Sequence, residues 1–408
     1  MTRTITPTEV VLHLDQITWL FNDIASVYNH NQRMSWEHVA TLERRVESHL
    51  NQLRASWATT CTVAAQHIER YYDTYTYTAA IYVLASGEPD QPGLDIVLNA
   101  LAKAPDEAVN SYNSMLQRAT HPALALGLGA LMDHPKPLVR ACAIGLLGFR
   151  REGNPQHIAR WIDDPDERVR TAAVIACSDF GYRDIVPQVE QRAGAHGALR
   201  SDIALALLLL GSERVLHAFR VDIGKHLERA SAINLTRLAM CADVRDAEAL
   251  LVAHTRNKIN AYPALMMLGD TNTIPYLLDD LNSTSERVRK LAHQTLKYIT
   301  AAEVKVPNYS LWLAWWRRNT ARFSQHPRWR WGRPWTLKIC IDTLAAPGMP
   351  YLQRRDAYLE LVIRSGHIIH FESSWEISRQ REAIKQWQAW WEQEQHRFID
   401  KPWPYAGR

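Results

Sequence analysis

Apolar positions near the start of the chain recur at intervals of three and four. Val10, Leu14, Ile17, Phe21 and Ile24 form one such series, the spacing of one face of an α-helix. Thr6-Pro7-Thr8-Glu9 stands just before it. Thr and Glu three apart make a capping box, and Pro is favoured at the first helical position. Residues 29–33 break the series; Ser35 opens another, with Val39, Leu42, Val46, Leu50 and Leu53 on one face. Two antiparallel helices are expected, forming an N-terminal hairpin cap within residues 1–68. Residues 76–87 and 96–104 read as further helices, separated by the turn cluster Glu88-Pro-Asp-Gln-Pro-Gly93. Near the other end, Trp312, Trp315 and Trp316 share one helix face, as do Trp387, Trp390 and Trp391. Arg354 to Val362 reads as another amphipathic helix, and Gly332-Arg-Pro334 and Ala346-Pro-Gly-Met-Pro350 read as turns.

Between these ends the pattern repeats. Asp133-His-Pro135-Lys-Pro-Leu-Val139-Arg140-Ala-Cys-Ala is followed thirty residues later by Asp163-Asp-Pro165-Asp-Glu-Arg-Val169-Arg170-Thr-Ala-Ala. Self-similarity at a fixed period of this length marks a repeat array. Stepping onward from Arg140 and Arg170 reaches Arg200, Arg229, Lys258 and Arg289, at steps of 30, 30, 29, 29 and 31. Gly181, Gly211 and Gly269 each lie eleven residues after an anchor, about three helical turns, where Gly can take the left-handed conformation that ends a helix. Pro187 and Pro275 then fall in the first turn of the next helix. Each unit is a helix, a tight turn and a second helix. Small residues after the anchors (Ala141, Ala143, Ala172, Ala173, Ala204, Ala206) allow close approach of neighbours. Stacked pairs would share one continuous core. The expected fold is an all-α solenoid of helix pairs over 69–303, clearest in 120–300, followed by a Trp-rich helical region, 304–408.

The Pro-x-x-x-Val-Arg frame resembles the HEAT-type repeat family, in its short variety. A broader resemblance rests on Leu42-Glu-Arg-Arg-Val-Glu-Ser-His-Leu50, the central repeats, Arg328-x-Arg330-x-Gly332-x-Pro334, Arg354-Arg355 and Arg379-Gln380. With these the chain resembles a proteobacterial family of HEAT-repeat proteins whose genes commonly lie in type VI secretion clusters. That resemblance implies a setting, effector traffic or toxin handling, and no catalytic residues.

Composition narrows the picture. Hydrophobic residues make up 47% and charged ones 22% of 408, with net charge +4, ordinary for a folded soluble chain. Cys61, Cys142, Cys177, Cys241 and Cys340 include no C-x-x-C pair; Cys142 and Cys177 read as core thiols. Scattered cysteines, no secretory signal pattern and no long apolar run lead to the expectation of a cytoplasmic protein without a membrane span. The charge is uneven: residues 305–408 hold 11 of the 15 Trp and carry net +8, against −4 for the rest.

Nucleophile elbows, phosphate loops, dinucleotide fingerprints and zinc spacings are absent from the sequence. No cofactor or metal is expected. His367-Ile-Ile-His370 with Glu372 is the one metal-like spacing, and a His pair beside Ile-Ile is more often structural. The anchor arginines allow two readings. They can form a phosphate-binding strip, or pair with Asp133, Asp163 or Asp166 at the helix starts; the acids that travel with them favour pairing. The sharpest candidate is 317–338, with seven basic residues and no acid. Arg317, Arg318 and Arg322 follow the first Trp set, which reads as core. Arg328, Arg330 and Arg333 alternate with Trp329, Trp331 and Trp335. This segment could pack as a lid on the last repeat, or present Trp and Arg to a protein partner, or bind single-stranded nucleic acid.

Three functions compete. A non-catalytic protein-binding scaffold is the main reading, with residues 328–335 closing one end of the docking face. Under the family resemblance its partner would be a secreted effector, a toxin or a secretion-apparatus component, and its role that of adaptor, chaperone or immunity protein. The alternative is a nucleic-acid-binding protein resembling the HEAT-like DNA glycosylases, with Asp342 or Glu360 as a candidate carboxylate. An enzyme like the HEAT-like bilin lyases rests on fold analogy alone.

Overall fold

The capping box at Thr6 forms in the computed structural model, which describes residues 5–29, 35–70, 75–196, 201–398, 401, 403 and 404. The Thr6 amide donates to the Glu9 carboxylate at 2.8 Å, and the Glu9 amide to the Thr6 hydroxyl at 3.3 Å. Helix Pro7–Asn29 follows, with Val10, Leu14, Ile17 and Ile24 fully buried. Ser35 accepts from the Glu37 amide and opens a short turn, Trp36–His38, leading into Val39–Arg54. Every apolar position expected on one face of that helix is buried. The described residues hold 22 α-helices and a single pair of two-residue strands, so the chain is all-α.

Two compact units make up the chain. The first comprises Met1–Ala206, Ala346–Arg355 and His370–Ile384; the second comprises Leu207–Ala345, Asp356–Ile369 and Lys385–Arg408. Residues beyond 304 are thus shared between both.

Within the first unit, helices Tyr75–Leu84, Asp106–Leu116, Pro137–Arg150 and Glu167–Asp179 pack one on the next, while Leu94–Lys103 and Leu124–Leu131 make a second row. Small residues permit this. A Cβ on Gly148 would lie 2.5 Å from the Cα of Ala176. Within the second unit, Ala232–Cys241, Lys258–Leu268 and Glu286–Thr300 pack in succession, and Val244–Arg256 and Ile274–Asp280 form the other row. The punctuation is as expected: Gly181, Gly211 and Gly269 take φ of 69°, 85° and 67°, and Pro187 and Pro275 sit in the first turns of Val186–His196 and Ile274–Asp280.

Three of the six anchors share one geometry. Arg140 donates to the carbonyls of His134 and Pro135, Arg170 to those of Asp164 and Pro165, and Arg289 to those of Ser283 and Thr284. Each therefore ties the first turn of its helix to the loop five and six residues earlier. The acid partner differs from the expectation. Arg140 forms a bidentate pair with Asp164, at 2.9–3.2 Å, in place of Asp133, Asp163 or Asp166. Asp163 pairs instead with Arg192, and Asp166 caps its helix through the Arg168 amide. Lys258 begins a helix and reaches Asp280 at 2.5 Å. Arg229 departs from the scheme: it lies exposed in a turn before Ala232–Cys241, whose cap is Ser231. Arg200 lies outside the described residues.

Candidate functional site

The Trp/Arg segment folds as a hairpin in the second unit. Trp329 pairs with Pro334 and Arg330 with Arg333. Trp331 and Gly332 form its tip, at φ of 54° and 67°. Two consecutive residues with positive φ suit the right-handed twist of a two-residue hairpin turn. A Trp there costs roughly 1–2 kcal/mol, offset by its ring against Tyr298 at 4.3 Å. The tip amides of Trp331 and Gly332 donate to the carbonyls of Tyr298 and Ile299, near the end of Glu286–Thr300. The Trp329 amide donates to the Gly269 carbonyl at 2.8 Å. The hairpin thus satisfies carbonyls that helix ends leave open.

Its two inner arginines complete this sealing. Arg328 donates to the Leu268 carbonyl at 2.7 Å and Arg330 to the Met267 carbonyl at 2.6 Å. Both also bind Glu360, at 3.0 and 2.7 Å. Arg364 joins Glu360 at 3.1 Å and donates to the Ala239 and Ala242 carbonyls. These four side chains are 0–1% exposed. Three guanidiniums face one carboxylate. Two helix C-termini supply roughly half a negative charge each, and aromatic faces add to it, with Trp335 3.9 Å and Trp403 4.7 Å from Arg328. The arginines hold Glu360 down at about 2, against the desolvation that would raise it. Burial pushes Arg328 down, aided by its like-charged neighbours, while Glu360 holds Arg330 up.

The expectation of a partner surface at 328–335 is therefore corrected. Arg328, Trp329, Arg330 and Trp335 are buried, so a partner meets none of them; the segment is a packed seal on the second unit. Arg333 is exposed but binds Asp342, which also binds Lys338. Arg317 and Arg318 are exposed, and Arg322 donates to the Gly332 carbonyl while lying 5.4 Å from the Trp329 ring. Trp312 is fully buried, whereas Trp315 and Trp316 stay partly exposed. Neither carboxylate of the glycosylase-like alternative is free, since Glu360 is saturated by arginines and Asp342 is paired. His367 stacks on Trp390 at 5.2 Å, and His370 is buried against Trp375. Among the described residues no group of three or more His, Cys, Asp and Glu is placed to hold a metal.

What the structure offers instead is a charged cavity in the first unit, of about 570 Å³. Helix Val39–Arg54 contributes Glu43, Arg44 and Glu47, and segment 376–381 contributes Glu376, Ser378 and Arg381. Arg118 and Thr120 also line it, as do Phe21 and Tyr82, edge to face at 4.9 Å, with the Arg118 guanidinium 5.7 Å over the Phe21 ring. Glu43 accepts from the Ile377 amide at 3.1 Å, fixing the start of helix Ile377–Glu394. Desolvation lifts Glu43 to about 7, and it also raises Glu376. A second cavity of about 220 Å³ shares Arg118, Thr120 and Glu376 and adds Arg150 and Arg379. Arg379 lies 3.5 Å over Trp375 and donates to the Arg150 carbonyl. Arg150 itself is held by Glu152 in a bidentate pair. The cues were scattered: Glu43 and Arg44 are neighbours on one helix, while Arg118, Glu376 and Arg379 are distant from them in sequence.

Neither a family model nor a curated protein matches the chain. The described residues contain no helix long and apolar enough to cross a membrane.

Proposed function

We propose that this chain is a non-catalytic protein-binding scaffold, built as a solenoid of HEAT-like helix pairs and working in the cytoplasm beside a type VI secretion apparatus. Its partner would be a secreted effector, a toxin or a component of the apparatus, making it a loading adaptor, a chaperone or an immunity protein. The observation that carries the repeat reading is the anchor geometry. Arg140, Arg170 and Arg289 each spend their donors on the loop carbonyls of their own repeat. Such bonds to a charged group stabilise by about 1.5–3 kcal/mol, so the ladder serves the fold and leaves the outer walls of the helix rows for docking. Those walls carry apolar side chains: Ile233, Val244, Val252 and Tyr276 in the second unit are 43–61% exposed. A stacked repeat array offers an extended surface for protein contact.

The nucleic-acid alternative loses its main support, because Arg328 and Arg330 are buried against Glu360. A tagged pull-down from the native host tests the proposal, with nuclease treatment and washes at low salt and at ~0.5 M salt. A stoichiometric effector, toxin or apparatus protein surviving the high-salt wash is the expected result. A catch held only at low salt and lost with nuclease would overturn it.

A further inference from the structure

We infer that the charged cavity of the first unit is a binding site for a small zwitterion of the α-amino-acid class, with an apolar or aromatic side chain. Its volume of about 570 Å³ lies within the range of small-molecule sites. The decisive feature is its unclosed charges. Arg118 lies close enough to Glu43 and Glu376 to draw the proton affinity of both downwards, yet forms no ion pair with any described residue. Glu376 likewise has no direct ionic partner among the described residues, and Glu43 is bonded only to a backbone amide. By contrast, other charges at the rim are neutralised: Glu37 pairs with Arg381 and Glu47 with Arg54. The cavity therefore holds Arg118 and two carboxylates apart, facing a shared space that Arg44, bonded to the Thr41 hydroxyl, also lines.

A ligand carrying both charges completes all three. Its carboxylate belongs at Arg118, on the side where Arg379 lines the adjoining cavity. Its ammonium group belongs between Glu376 and Glu43. A cation alone would leave Arg118 with only the Phe21 ring, 5.7 Å away, and an anion alone would leave the carboxylates without an ionic partner. Phe21 and Tyr82 then form the wall for an apolar or aromatic side chain. Because Glu43 lies on Val39–Arg54 and Glu376 on the segment that opens Ile377–Glu394, the bound zwitterion would join these two elements and stiffen the first unit. The chemistry is shared by free amino acids and by short peptides whose two termini fall close together.

Calorimetric titration of the full chain tests this, independently of any protein partner. The probes are L-phenylalanine, L-leucine, N-acetyl-L-phenylalanine, L-phenylalaninamide and the dipeptide Phe-Leu. Saturable binding of an unmodified amino acid is expected, with either single-charge derivative weaker by about 10- to 100-fold, the loss of one charge-assisted contact. Preference for the dipeptide over both amino acids would assign the site to peptides; the reverse would assign it to free amino acids. Arg118→Met and Glu376→Gln should weaken binding by a similar factor, with thermal midpoints measured alongside to separate binding from folding. No heat with any zwitterion at ~10 mM, or equal binding of L-phenylalaninamide and L-phenylalanine, would overturn the inference.

Discussion

Replacing Glu360 by Gln keeps its shape and removes its charge. Three guanidiniums, Arg328, Arg330 and Arg364, would then be buried without a counter-ion. The magnitude follows in two ways. Glu360 is held at about 2 rather than 4.5, and at about 1.4 kcal/mol per unit this shift represents roughly 3 kcal/mol of stability. Because its folded value is depressed, that stability is fully present above pH ~4.5 and lost as pH falls through ~2. Breaking a buried pair by removing one partner costs about 3–5 kcal/mol, and here one carboxylate serves three partners. A loss of at least 3 kcal/mol at pH 7 is expected for the second unit, a large part of the stability of an ordinary domain. Urea unfolding followed by tryptophan fluorescence reads it, since Trp329 and Trp335 sit at the cluster. Combining Glu360→Leu with Arg328→Met, Arg330→Met and Arg364→Met should recover part of the loss, because the uncompensated charges go with it. A Glu360→Gln midpoint within about 1 kcal/mol of the parent would refute the reasoning that this charge balances the arginines.

In the first unit, Glu43→Gln should stabilise the protein at pH 8 by about 2–3 kcal/mol and converge with the parent near pH 4.5. The folded carboxyl is raised to about 7, so ionising it costs stability as pH rises from the unfolded value through 7; urea melts of the two proteins at both pH values check this. Gly269→Ala should cost at least about 2 kcal/mol, since φ is 67° and the new Cβ would lie 2.2 Å from the Trp329 carbonyl oxygen. Gly224→Ala, in an exposed turn of helix Glu213–Lys225 with open space around it, should instead stabilise by about 0.5–1 kcal/mol, and thermal melts should give the two opposite signs. Asp164→Asn should cost about 3–5 kcal/mol by breaking the buried pair with Arg140, whereas Asp163→Asn, at a half-exposed pair with Arg192, should cost under about 1 kcal/mol. Binding of a single-stranded oligonucleotide, followed by anisotropy against salt, should show a log–log slope no steeper than about −2, because few arginines of 317–338 are free; a slope near −5 would show that the basic segment is open.

Features written into neighbouring residues were legible. Thr6 and Glu9 close their capping box within four residues, and Gly181, Gly211 and Gly269 end helices because no other residue enters left-handed backbone so easily. The repeat was legible for the same reason, since an anchor arginine finds its carbonyls five and six residues earlier. Arg229 shows where period alone misleads. It keeps the spacing but lies in a turn, and the helix start passes to Ser231, which accepts from the Asn234 amide. The hairpin escaped because its counter-ion lies 30 and 32 residues away, on another helix. A signal was there: Glu360 is a lone acid inside Tyr358-Leu-Glu-Leu-Val-Ile363, and an acid in so apolar a run must bring buried cations with it.

One physical property links the anchors, the hairpin and the cavity. A guanidinium has five donors in a plane and keeps its charge when buried, so it can hold several carbonyls where a helix begins or ends. Arg140 and Arg170 do this at helix starts, and Arg328, Arg330 and Arg364 do it near helix ends. Part of the positive charge after residue 304 is therefore internal: Arg328 and Arg330 lie buried against Glu360 and helix carbonyls, while Arg333 and Lys338, both partly solvated, share Asp342. Net charge counted along a sequence measures a surface only when its arginines are solvated. Here the informative arginine is Arg118, which closes no pair with the carboxylates beside it, and that restraint is what marks the cavity of the first unit as a place for a ligand.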